Sequence, residues 1–366
     1  MAITEGLLAL HATDPASVYL SAVARMPSAD IRAVEDAQYE SRILVRMLAM
    51  RRTMFVVTAE AAPMVQAAAS DGVARQLRRR YAQMLAEAGV AADGDAWLRS
   101  ACEAALVRLR ELGQATGAQL GQATPILQTR ISLAEGKRWA ATVNVTGWVT
   151  TLLGAEGLIT RGRPLGSWTG NQYRWRPADP ALLDAARALG QPAAQRELAR
   201  RWLRAFGPAT AADLQWWTGW TARETAAALA GLETVTVDLD GSPGIVLAVD
   251  IEAEAEPPPW VALLPALDPT PMGWKQRDWY LGDHGPVLFD RNGNIGPTIW
   301  ADGRIIGGWA QRKDGEVVTR LLEDVGTERA RAVEREAERV RMAIGEQRVT
   351  PKFRIPLERE LTEPAV

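Results

Sequence analysis

One cysteine and two histidines among 366 residues leave little room for several kinds of chemistry. A lone Cys102 permits no internal disulfide and no cysteine-based zinc site, and its helical surroundings mark it as a small buried hydrophobe. With histidine so scarce, a structural metal is not expected. No stretch approaches the roughly eighteen uninterrupted apolar residues of a membrane-spanning helix, and the short run Gly6 to Leu10 lacks the basic flank and cleavage pattern of a secretory signal. A cytoplasmic protein is expected. Glycine loops of the Walker or dinucleotide type, a Gly-x-Ser-x-Gly elbow and paired metal histidines are all missing. The enzyme classes built on them are unsupported, and no cofactor is expected.

What is present suits a globular protein: hydrophobic residues make up 47% and charged ones 23% of the chain, enough for sizeable cores in two to four modules. A net charge of only −2 argues against indiscriminate coating of nucleic acid, but the charges are unevenly placed. Between Ser41 and Arg80, Arg42, Arg46, Arg51, Arg52, Arg75, Arg78, Arg79 and Arg80 meet only Glu60 and Asp71. From Leu158 to Pro177, Arg161, Arg163, Arg174 and Arg176 meet no acid. Conversely, Ile245 to Asp268 carries Asp250, Glu252, Glu254, Glu256 and Asp268 with no base. Such a separation gives one basic and one acidic face, or only solvated helix and hairpin surfaces.

The chain repeats a cadence of short helices followed by a strand pair. Helical patterns near Thr4 to Leu10, Pro15 to Arg25 and Asp30 to Ala49 end in the β-rich run Thr53 to Val57, and Asp14-Pro15 reads as an N-cap with proline at the first helical position. Helices near Ala59 to Ala69, Val73 to Ala88, Ala96 to Leu112, Gly117 to Ile131 and Val143 to Ala155 precede strands Gly157 to Arg163 and Asn171 to Arg176, with Pro164 to Gly170 as a wing-like loop. A third instance has helices near Ala193 to Phe206, Ala209 to Trp217 and Thr221 to Ala230, then strands Thr234 to Leu239 and Ile245 to Val249. After Pro257-Pro258-Pro259, strands alternate with Gly, Asp and Asn turns from Trp260 to Leu322. A helix near Glu328 to Ile344 and an irregular tail after Pro351 close the chain. The expected class is α+β, with tandem winged-helix domains followed by a small antiparallel β-barrel or sheet. The units are 1–90, 91–180, 190–255, the barrel 256–325 and a helix and tail 326–366.

Leu44 to Val57 has the form of a recognition helix running into a wing, which would set Arg42, Arg46, Arg51 and Arg52 against DNA phosphates. The second strand pair adds Arg161, Arg163, Arg174 and Arg176 with Tyr173 and Trp175, suited to phosphate contact and base stacking. Either pair could equally be a structural edge or a protein-binding module. His11 ends the aliphatic stretch Leu7-Leu8-Ala9-Leu10, so its ring either finds a partner in a core or floors a cleft open to water and ligand. His284 lies in Gly282-Asp283-His284-Gly285-Pro286, a turn between expected strands, with no neighbour that gives it a role. Asp290-x-Asn292-x-Asn294 is not a calcium loop, because Ile295 and Ala301 stand where the glycine and closing glutamate belong. Trp216, Trp217 and Trp220, among fourteen tryptophans, read as core.

The blocks Leu7 to Pro15, Leu44-Val45-Arg46 through Arg51-Arg52-Thr53-Met54-Phe55-Val56-Val57, Leu264-Pro265-Ala266-Leu267-Asp268-Pro269-Thr270 and Asp290-Arg291-Asn292-Gly293-Asn294 together resemble the bacterial winged-helix DNA glycosylase family of the AlkZ and YcaQ type. The resemblance spans about Ile3 to Val325. It implies tandem winged helices and a β-barrel around double-stranded DNA, and removal of alkylated purines, in some members bulky antibiotic adducts or crosslinks. It also implies a catalytic Gln-apolar-Gln or Gln-apolar-Asp triplet where this chain reads His11-Ala12-Thr13. On that footing His11 orients or deprotonates water, and Thr13 or Asp14 holds water or steadies a cationic sugar. Asp14 also reads as the N-cap. The expected protein is a monofunctional glycosylase acting as a monomer, without lyase activity because no lysine stands in the triplet. The alternatives are a non-catalytic DNA-binding or regulatory protein and an interaction scaffold that binds no nucleic acid.

Overall fold

The computed structural model describes residues 1–133, 141–252 and 255–363. Glu254, part of the acidic stretch, lies outside them. The first sixty residues give α1 (Ala2–Gly6), β1 (Leu10–His11), α2 (Pro15–Val23), α3 (Ile31–Glu35), β2 (Leu44–Ala49) and β3 (Thr53–Thr58). Here the sequence expectation needs correction: Leu44 to Ala49 is a strand and not a recognition helix, and the helix begun at Asp30 ends in a wide turn through Glu40. Leu, Met, Ala and Arg favour helix in isolation. Opposite them, however, lies Thr-Met-Phe-Val-Val-Thr, and six consecutive antiparallel pairs from Leu44↔Thr58 to Ala49↔Thr53 outweigh that preference. β1 pairs with the other edge of β3, so the sheet order is β1-β3-β2.

Next come α4 (Ala62–Val65), α5 (Asp71–Glu87), α6 (Gly94–Leu112), α7 (Gly117–Ala123), β4 (Arg130–Leu133), β5 (Ala141–Asn144), α8 (Thr146–Ala155), β6 (Ile159–Pro164) and β7 (Tyr173–Pro177). The pair β4/β5 overlaps only the facing ends of the expected helices Gly117 to Ile131 and Val143 to Ala155, and β6/β7 falls where strands are expected. α9 (Pro180–Leu189), α10 (Gln191–Phe206), α11 (Ala211–Thr218) and α12 (Ala222–Leu229) lead to β8 (Thr234–Leu239) and β9 (Ser242–Leu247). Their two-residue turn is Asp240-Gly241, both at positive φ as a primed hairpin turn requires.

The last part holds β10 (Val261–Leu264), α13 (Asp278–Leu281), α14 (Gly285–Leu288), β11 (Thr298–Ala301), β12 (Arg304–Gln311), β13 (Val317–Leu321), α15 (Gly326–Ile344) and α16 (Pro356–Thr362). The four strands form one antiparallel sheet in chain order. One face packs on α15 and α2 through Leu263, Ile299, Ile306, Val333 and Val340; the other packs on α13, α14 and α16 through Tyr280, Trp300, Ile305 and Leu357. The tail after Pro351 is therefore not irregular: Leu357 and Leu361 turn a short helix into part of a core. His284 sits between α13 and α14, 3.7 Å from Glu323, and not in a turn between strands.

The cores do not follow chain order. Phe55, Val57 and Met50 of the first hairpin share one with α10, α11 and β9, while Leu10, Val56 and α2 share another with the four-stranded sheet. The segment bearing His11 is thus gripped from both sides. Cys102 is buried against α6 and α8 neighbours, and burial pushes its thiol up to about 12.

Candidate active site and nucleic-acid interface

The chain enters β1 through a strained bend. Leu8 has φ 62 and is buried, and the Ala9 N–H donates to Leu7 O at 2.6 Å across it, a γ-turn of the rare positive-φ kind. β1 then sets His11 opposite Phe55, with ring centroids 5.4 Å apart and planes at 61°. Contrary to the reading of a ring open to water, His11 is 6% exposed. It is not sealed among aliphatics alone, because Arg46 and Arg51 act on it. Burial first, and then these two cations, push its pKa down to about 3. The imidazole is neutral at physiological pH. Its Nδ1 accepts a long 3.5 Å bond from the Thr13 N–H, which assigns the proton to Nε2.

The two neighbours play different parts. Thr13 is half-buried. Asp14 caps α2, its Oδ1 accepting from the Ala16 N–H at 3.1 Å, and its Oδ2 accepts from the Lys352 N–H at 2.8 Å. Burial raises its pKa against those bonds. With one bond at each oxygen, Asp14 ties the start of α2 to the chain at Lys352. Ala12 N–H donates to Met54 O at 2.8 Å, and Ala12 O accepts from the Arg46 Nη2. The guanidinium therefore grips the middle residue of the candidate triplet.

Two hairpins bring the candidate arginines near one another. Thr160 on β6 donates to Arg46 O on β2 at 3.4 Å, and Arg161 beside it lies 4.1 Å over Tyr173 and 5.4 Å from Trp175. Arg42, Arg46 and Arg176 line a cleft of about 380 Å³ whose remaining wall includes Val45, Pro63 and Leu182. Burial and the neighbouring Arg42 lower the pKa of Arg176. Arg51 and Arg52 occupy the β2–β3 turn, both at positive φ, a conformation costing about 1–2 kcal/mol for each such residue. Arg51 is held there by stacking 4.1 Å over Trp216 of α11 and by Gly219, where a Cβ would come within 3.0 Å of Arg51 Cγ.

Among the described residues, Arg42, Arg46, Arg51, Arg52, Arg161, Arg174 and Arg176 have no carboxylate within ion-pair distance, whereas Arg163 is bound by Glu40 at 2.8 Å and Glu35 at 3.5 Å. Many other arginines are paired, such as Arg78 with Glu156 and Arg25 with Asp268. Partly buried guanidiniums left unpaired are costly unless an anion completes them. Arg277, which the sequence reading passed over, lies 4.9 Å from the Trp216 ring centre. Its setting, Trp274-Lys275-Gln276-Arg277, mixes aromatic and basic residues as the β7 hairpin does, and that was the available signal. Asp290 binds the Asn292 and Asn294 N–H groups at 2.8 and 2.9 Å, which closes a turn. Among the described residues no cluster of three metal-ligating side chains occurs, and no helix is long and apolar enough to cross a membrane.

Residues 4–342 match the family model described as DNA glycosylase AlkZ-like. The structure superposes on the Streptomyces sahachiroi DNA glycosylase AlkZ with a TM-score of 0.70 and 21% identity, over 94% of this chain and 91% of that one. No curated protein matches the chain. A family match over nearly the whole length and a shared fold converge on one conclusion: this chain belongs to the AlkZ-like DNA glycosylase family.

Proposed function

We propose that this protein is a monofunctional glycosylase that hydrolyses the N-glycosidic bond of N7-alkylated purines in duplex DNA, including bulky or crosslinked guanine adducts. The carrying observation is the neutral imidazole of His11, packed edge-on to Phe55 in the field of Arg51 and Arg46, two arginines with no carboxylate partner among the described residues. An N7-alkylguanine is already cationic. When its C1′–N9 bond breaks, the bonding pair passes to the base, which leaves neutral and needs little acid assistance. Positive charge moves to the sugar, water adds to C1′, and its proton passes to solvent. A nitrogen with so low a pKa is a weak Brønsted base, so His11 serves chiefly to orient water, and Thr13 is the second contact. Asp14 acts as a positioning residue through the α2 cap. No lysine in the triplet can form a Schiff base, which argues against lyase activity.

In this reading the helix-plus-hairpin units work as tandem winged helices, within the boundaries set out from the sequence, on one face of the DNA. The unpaired arginines contact phosphate, and the protein acts as a monomer. The near-complete covering of His11 favours a second reading, a non-catalytic DNA-binding or regulatory protein. The test is mass-spectrometric detection of bases released from DNA bearing 7-methylguanine or a bulky N7 adduct. Wild type should release the base, and His11→Ala should be at least about 100-fold slower. Duplex binding without release in wild type would establish the second reading, and undiminished release by His11→Ala would remove His11 from the chemistry.

A further inference from the structure

Three parts of the chain distant in sequence meet at Trp216: the β2–β3 turn, helix α11, and the loop that leads from β10 to α13. The loop is pinned to the start of α11 because Asp213 Oδ1 accepts from the Lys275 N–H at 2.8 Å and the Gln276 N–H at 3.0 Å. Its other oxygen is taken by Thr210, through the N–H at 3.1 Å and the hydroxyl at 2.6 Å. Trp274 Nε1 donates to Phe206 O at 2.8 Å and fixes the loop from its far end.

This anchoring carries Arg277 between two rings. Its guanidinium carbon lies 4.9 Å from the Trp216 centre and 4.8 Å from that of Phe289, and its Nε donates to Trp274 O at 3.0 Å. Arg51 lies 4.1 Å from the same Trp216 ring, with a buried Nε that has no partner. Neither guanidinium has a carboxylate within ion-pair distance among the described residues. Asp213, the carboxylate that acts on Arg277, has both oxygens bonded elsewhere; Asp278, at the start of α13, is exposed and Lys275 adds a further cation.

Two like charges sharing one indole repel each other. Stacking on the ring offsets part of that cost and holds both planar forks in fixed orientation. A bidentate oxyanion offsets the rest. We propose that Arg277 and Arg51 grip the DNA backbone, with Trp216 as the spacer between them, so that the segment preceding the last helices contributes a phosphodiester contact absent from both basic clusters of the sequence. This inference rests on the DNA glycosylase reading above.

The experiment measures binding of an undamaged duplex as a function of salt. Arg277→Gln should weaken binding about five- to tenfold and reduce the slope of log K against log[salt] by about 0.9, the loss of one phosphate contact. Arg277→Lys should restore the slope and only part of the affinity, since a point charge releases the counterion without the stacked fork. Arg51→Gln is the second variant and should lower the slope in the same way. An unchanged slope in folded Arg277→Gln and Arg51→Gln, with wild type still binding and releasing base, overturns the grip and leaves the glycosylase reading standing. If inorganic phosphate raises the unfolding temperature of wild type but not of Arg277→Gln, while the duplex slopes agree, the site is for a free anion and the grip is wrong. If wild type binds no duplex at low salt, both readings fall.

Discussion

Asp268 is wholly buried and holds both terminal nitrogens of Arg25, at 2.8 and 2.7 Å, across the boundary between α2 and the loop that follows β10. Ser17 Oγ donates to Ala266 O at 2.6 Å beside it. The block Leu264 to Thr270 therefore fastens the helix capped by Asp14 to the four-stranded sheet, and through it the strand that carries His11.

Removing one partner of a buried pair leaves the other uncompensated. Asp268→Asn should cost about 3 kcal/mol, read as a lower denaturant midpoint. A midpoint equal to that of wild type would show that solvent at the partly open Arg25 end suffices.

Orientation of water by a hydrogen-bonding side chain can be kept by an amide, and proton abstraction cannot. His11→Gln should retain base release within about tenfold of wild type, against the loss of roughly 100-fold or more expected for His11→Ala. Equal loss in both variants would show that the imidazole itself carries the chemistry.

The pH behaviour follows from the lowered His11 pKa. Its folded value, about 3, lies below the unfolded 6.5, so between these values the unfolded chain binds more protons and stability falls as pH falls. Asp14, with a raised pKa, contributes in the opposite sense. Single-turnover base release should show no inflection near pH 6.5, and unfolding midpoints from pH 6.5 down to 4 should fall less steeply in His11→Gln than in wild type. A rate inflection near 6.5 would mean that the ring titrates in contact with water.

Charge already spent within the protein is not available to DNA. Arg163→Gln, which gives up the pairs with Glu40 and Glu35, should change duplex affinity less than about twofold, whereas Arg161→Gln or Arg46→Gln should lower it about five- to tenfold with a smaller salt slope. The reverse order would overturn the assignment of unpaired arginines as backbone contacts.

Gly219 closes α11 in the left-handed conformation, φ 75, against Arg51. Gly219→Ala, which puts a Cβ in the left-handed region, should destabilise the protein by about 1 kcal/mol and weaken duplex binding by displacing Arg51. Unchanged binding would detach the turn from the interface.

Elements whose signals are local were legible. Asp14-Pro15 marks the start of α2, and Asp240-Gly241 and Asp302-Gly303 mark tight turns between strands. Leu44 to Ala49 was not legible, because its helix-favouring residues become a strand only through β3, and no strand was expected between the helices Gly117 to Ile131 and Val143 to Ala155, where the β4/β5 pair forms. Burial of His11 depends on Phe55 and on cores shared with distant segments, and one apolar run does not report that. The eight candidate arginines were readable as clusters, but pairing with Glu40 and Glu35 separates Arg163 from the rest. Arg277 lies outside both arginine clusters of the sequence, and the anchors at Asp213 and Trp274 bring it to the Trp216 ring that Arg51 also covers.

The bond from Lys352 N–H to Asp14 spans 338 positions. During synthesis the amino-terminal segment leaves the ribosome long before its cap is complete, and the strand bearing His11 waits on a residue made 338 positions after Asp14. A nascent chain, or one cut short before Lys352, would hold that imidazole in an unsettled frame.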